Sequence, residues 1–140
     1  MALTANRKRT KVDGESKIFT RNFDVPASTE IFQGGVYFVD ASTGALKKTS
    51  NGTTDLCVGI AFNHYNNAVA SATTDKPVTI EWGQEEDVTI TGVAATDVGK
   101  PVYSAADDSF TLSPTSAVRV GVVTQYVTTN TATVRIDPIA

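Results

Sequence analysis

Val78-Thr79-Ile80-Glu81-Trp82 and then Val88-Thr89-Ile90-Thr91 alternate apolar and polar side chains. A period of two places every second residue on one face of a pleated strand, so each stretch reads as a strand with one buried face. Gln84-Glu85-Glu86-Asp87 between them reads as a charged, solvated hairpin tip. Working outward, short β-branched runs broken by turn residues recur at roughly 8–12-residue spacing. Strands are predicted over residues 18–23, 35–40, 45–48, 57–62, 68–72, 78–82, 88–91, 101–105, 109–113, 118–127 and 131–136. The chain of 140 residues holds 21 threonines, 17 valines and 7 isoleucines against 4 leucines. Side chains branched at Cβ are stiff at the first torsion and suit a sheet better than a helix. One helical turn around residues 94–98, with Thr96 as cap, is the only helix expected.

The order of elements repeats. Gly35-Val36-Tyr37, Asp40, Ala45-Leu46-Lys47, Val58-Gly59-Ile60-Ala61 and Val78-Thr79-Ile80-Glu81 are echoed by a second series. That series is Pro101-Val102-Tyr103, Asp107, Phe110-Thr111-Leu112, Val120-Gly121-Val122-Val123 and Val134-Arg135-Ile136-Asp137. The glycine of each Val-Gly pair suggests a bulge or a close backbone approach. One such unit cannot bury its apolar face alone. The expected fold is therefore all-β: a compact barrel- or sandwich-like domain over residues 18–140, built from two related β units at about 18–82 and 88–137. An extended basic N-terminal arm over residues 1–17 precedes it.

Charge is divided unevenly. Residues 1–21 carry six basic side chains (Arg7, Lys8, Arg9, Lys11, Lys17 and Arg21) against Asp13 and Glu15, a net of +4. The remainder holds six basic and thirteen acidic residues, a net of -7. A basic terminus on an acidic body suggests an arm that touches something negative. The start of the chain has no apolar run after its charges, so no signal peptide is expected, and no stretch approaches a membrane helix. The protein is expected to be made and kept in the cytoplasm until it joins a partner.

Chemistry is sparse. Cys57 is the single cysteine, flanked by Leu56 and Val58, and reads as a small buried hydrophobe. His64, the single histidine, sits in a polar loop with no nucleophile motif to serve. Glu81, Glu85, Glu86 and Asp87 have the carboxylate density to hold a cation or to contact a basic partner, but a solvated turn accounts for them. Trp82 reads as core or interface. Val98-Gly99-Lys100-Pro101 lacks the rest of a phosphate loop, and Asn51-Gly52-Thr53 reads as a turn. Arg7, Lys8, Arg9 and Lys11 lack neighbouring aromatics for base stacking, so a nucleic-acid partner is not expected. No enzyme, cofactor or metal is expected.

Residues 88–137 resemble a family of small capsid decoration, or cement, proteins of tailed phages. The resemblance is carried by Val98-Gly99-Lys100-Pro101-Val102-Tyr103, Asp107-Asp108-Ser109-Phe110-Thr111-Leu112, Val118-Arg119-Val120-Gly121-Val122-Val123 and Thr131-Ala132-Thr133-Val134-Arg135-Ile136. The first half resembles it through Val58-Gly59-Ile60-Ala61 and Val78-Thr79-Ile80. The basic arm departs from the family pattern. The resemblance implies a β domain that trimerises on the outer surface of the virion and binds the major capsid protein, locking neighbouring capsomers. Arg7, Lys8, Arg9, Lys11 and Lys17 are then candidate capsid contacts, and Trp82 and Tyr103 candidate interface residues. The alternatives are another virion module (tail tube, baseplate or head fibre) or a carbohydrate-binding β module that uses Trp82, Tyr65 and the acidic turn.

Overall fold

The computed structural model describes residues 3–6, 18–49, 55–67 and 76–137. The chain is all-β. Its strands are β1 (Phe19–Val25), β2 (Glu30–Ile31), β3 (Val36–Val39), β4 (Leu46–Lys47), β5 (Leu56–Ala61), β6 (Tyr65–Asn66), β7 (Lys76–Trp82), β8 (Glu85–Thr89), β9 (Pro101–Ser104), β10 (Val118–Thr128) and β11 (Thr131–Ile136). They form a first sheet in the order β1-β7-β5-β3-β4, a second in the order β8-β11-β10-β9, and a small β2-β6 ribbon. Neighbouring strands are antiparallel throughout. In each large sheet the first strand lies beside the last, which is a Greek-key order.

The two sheets correspond residue by residue. In the first, Tyr37 lies opposite Gly59 and, after a bulge at Val58, Phe38 lies opposite Cys57. In the second, Val102 lies opposite Gly121 and, after a bulge at Val120, Tyr103 lies opposite Arg119. Ile60 faces Glu81 across the next ladder, as Val122 faces Arg135. A side chain at Gly59 would run into the carbonyl oxygen of Glu81, and one at Gly121 into that of Arg135, so both sheets need glycine at the same place. One cross-strand pair also recurs: the Thr79 hydroxyl lies 2.9 Å from Asn22 Oδ1 and the Thr133 hydroxyl 2.6 Å from Asp87 Oδ1. Matching tyrosine to tyrosine is thus wrong by one residue, because Tyr103 occupies the place of Phe38 and Val102 that of Tyr37. Likewise Ile80-Glu81-Trp82, not Val78-Thr79-Ile80, matches Val134-Arg135-Ile136. A slip of one residue exchanges the two faces of a strand, so the correction decides which side chains are buried.

Among the described residues no sheet closes into a barrel; the sheets stack. The front of the second sheet contributes Val102, Val120, Val123 and Val134 to a core that receives Val36, Phe38, Cys57 and Ile60 from the back of the first. The front of the first sheet has its own core of Tyr37, Ala61, Val78 and Ile80, completed by Val25, Leu46 and Ile31 of the ribbon. Each fully buried apolar side chain here contributes up to about 1.5–3 kcal/mol. The first sheet is therefore apolar on both faces, and the second on one.

Local differences from the expected elements have local causes. Residues 109–113 reduce to a single bridge between Tyr103 and Thr111. The turn near residue 94 is one 3₁₀ turn, Ala95–Asp97, and Thr96 lies inside it rather than before it. Its N-cap is Ala94, whose N–H donates at 2.8 Å to the carboxylate of Asp97, the third residue of the turn, which also pairs with Lys100 at 2.7 Å. The strand expected over residues 68–72 lies outside the described residues.

Candidate interaction surfaces

The end of β4 and the hairpin after β9 meet where the two units join. Thr49 bridges Ala106, the Asp107 N–H donates to the Lys48 carbonyl, and the Val36 N–H donates to the Asp107 carbonyl. This backbone frame holds the Asp107 side chain, fully buried, against residues 3–6 of the chain. The Leu3 N–H donates to Asp107 Oδ1 at 2.7 Å, and Lys48 Nζ donates to the Leu3 carbonyl at 3.1 Å. The Gln33 N–H donates to Asn6 Oδ1 at 2.8 Å. Gly35 leaves the space that the Leu3 side chain fills, since a Cβ there would sit 2.7 Å from Leu3 Cδ1. Asp107 Oδ2 has Lys48 Nζ at 3.9 Å. Burial pushes the Asp107 carboxyl above its ordinary value, against the opposing pull of the Leu3 N–H and the Lys48 ammonium. Burial likewise raises the Tyr37 hydroxyl, which accepts the Phe32 N–H at 2.8 Å.

A stacked row continues from this socket. Lys48 Nζ lies 4.8 Å from the centroid of Phe32. His64 stacks on Phe32 with centroids 5.3 Å apart and bonds Glu30 at 2.7 Å. His64 thus serves the β2-β6 ribbon: it clamps Glu30 and Phe32, with no nucleophile in the arrangement.

The acidic turn is not the solvated tip expected from its composition. Glu81 and Glu86 are 3% and 0% exposed, and Gln84 donates to Glu86 at 2.9 Å. Glu81 shares the face of Ile60, which points between the sheets, and Glu86 shares that of Val134. Asp87 accepts the bond from Thr133 described above. Glu85, opposite Arg135, and Asp87 keep partly open places. Among the described residues, no group of three or more His, Cys, Asp or Glu side chains is arranged to hold a metal. No helix among them is long and apolar enough to cross a membrane. Cys57 is wholly buried, and desolvation pushes its thiol up to about 12, so it stays protonated and inert at neutral pH.

The candidate residues fall in different places. Arg7, Lys8, Arg9, Lys11 and Lys17 lie outside the described residues. Trp82 closes β7, packs against the inter-sheet core and stacks on Phe19 at 5.6 Å between centroids. Tyr103 is half-buried on β9, on the back of the second sheet with Arg119 opposite. The two therefore belong to different sheets and do not build one site. The Leu3 socket has no local signature, because Leu3 and Asp107 are 104 positions apart. No family model and no curated protein matches the chain.

Proposed function

We propose that the protein is a decoration protein that binds the outside of a tailed-phage capsid, most simply as a homotrimer, and bridges neighbouring capsomers. The observation that carries this reading is the seating of residues 3–6 in the Asp107–Lys48 socket. Buried Asp107 and half-buried Lys48 grip this segment, and the basic stretch from Arg7 to Lys17 follows directly in the sequence. A rigid, doubly layered β body with such a root suits adhesion better than turnover. The acidic body and basic stretch also give the surface two signs of charge with which to meet a patterned shell. The resemblance of residues 88–137 to capsid decoration proteins points the same way.

The test mixes purified protein with undecorated capsids and follows capsid melting. Binding with a raised melting temperature is expected; no binding and an unchanged melt would overturn the proposal. A ring or fibre in solution, read as a mass well above a trimer, would instead favour a tail or fibre module. The carbohydrate reading has less support, because Phe19 covers one face of the Trp82 indole.

A further inference from the structure

We propose that the Asp107–Lys48 socket is a docking site for residues 3–6 of a second copy of this chain, so that N-terminal segments are exchanged between neighbours on an assembled surface. The inference rests on the adhesive function proposed above and names its receptor. The socket is built independently of its occupant: the Asp107 and Lys48 main chains are held by each other and by Val36. What it recognises is a short extended peptide. One carboxylate takes a main-chain N–H, one ammonium gives to the following carbonyl, and a vacant Cβ position at Gly35 takes a leucine side chain. Gly35 has no left-handed backbone to require glycine, so room for Leu3 and for the Tyr37 ring is its evident purpose.

These contacts are few, and residues 4–6 are exposed. Such a peptide holds its place mainly because it is tethered, at an effective concentration on the order of 1 mM. Exchange keeps every contact and changes only the tether, which is why swapping identical segments costs little. Eleven residues separate Asn6 from Ile18, and at about 3.3–3.6 Å each they reach roughly 36–40 Å. A body of this size has a radius of gyration of about 14 Å, so the reach matches a neighbouring copy's socket. Where copies are packed side by side, their local concentration rivals the tether, and a network of exchanged segments replaces separate closed molecules.

The test uses the full chain carrying Asn6→Cys and Gln33→Cys, whose main-chain and side-chain atoms already touch at 2.8 Å; wholly buried Cys57 does not compete. Tagged and untagged forms are mixed, oxidised mildly and separated without reductant. Mixed-tag disulfide dimers are expected to rise with concentration, with interchain disulfides about equal to intrachain ones near about 1 mM, and to form also at dilute protein once it is bound to capsids. Disulfides found only within single chains at all concentrations and on capsids would overturn exchange. Failure to form either disulfide would overturn the socket itself. Exchange is judged separately from decoration: cis-only disulfides with a raised capsid melt sink the first and spare the second, and mixed-tag dimers without capsid binding do the reverse.

Discussion

The backs of the two sheets are built on the same strands in the same register, yet one is core and the other is surface. Val36, Phe38, Cys57, Ile60 and Glu81 are all buried in the first sheet. Their counterparts in the second are Pro101, Tyr103, Arg119, Val122 and Arg135, each half-buried or exposed. The fronts, by contrast, stayed alike, with Tyr37, Ala61 and Ile80 matched by Val102, Val123 and Val134. Two sheets of matching register thus stack front to back, and only the first must hide its back.

That contrast can be broken most sharply at its centre. Phe38→Ala should lose about 3–5 kcal/mol of unfolding free energy, as buried phenylalanine truncations do, while Tyr103→Ala at the matching place should lose about 1 kcal/mol or less. Urea denaturation of both would show it; equal losses would mean the second back is also covered. The glycines test what the sheets share. Gly59→Ala and Gly121→Ala should each destabilise by on the order of 3 kcal/mol, because a carbonyl oxygen stands where the methyl would go; a harmless change at either would break the equivalence. The recurring threonine pair sharpens it further. Thr133→Val removes a part-buried bond to a carboxylate, at about 1.5–3 kcal/mol, and Thr79→Val an exposed bond to an amide, at about 0.5–1.5 kcal/mol.

The smallest effect concerns pH. The Asp107 carboxyl is raised in the folded protein, so its contribution to stability is present at acid pH and declines as pH rises from its unfolded value through the folded one. Thermal melts of Asp107→Asn should therefore gain on the parent protein between acid and neutral pH. A constant gap across that range would contradict the assignment.

Much of this was legible in the chain. Alternation at residues 78–82 marks β7, whereas at 88–91 it meets only the last two residues of β8, which begins at Glu85 inside the expected turn; the Val-Gly pairs mark both bulges, because a glycine with a neighbouring carbonyl against it tolerates no side chain. The tyrosines misled, since Tyr37 lies opposite Gly59 but Tyr103 opposite Arg119, and a strand's own residues do not name their partners on the next strand. Glu81 and Glu86 misled for another reason. Charge density argues for solvent, and only the stacking of one sheet's back on the other's front turns these carboxylates inward. The 3₁₀ turn was expected in the right place with the wrong cap, because Asp97 reaches back over Thr96. The socket was invisible, as it joins Leu3, Gly35, Lys48 and Asp107 from four separate stretches.

Electron microscopy of undecorated capsids incubated with the protein tests the central claim most directly. Discrete density of this body on the outer shell, contacting more than one capsomer at repeated symmetry-related positions, is the predicted image. Bare shells at saturating protein, with the chain remaining monomeric in solution, would contradict it.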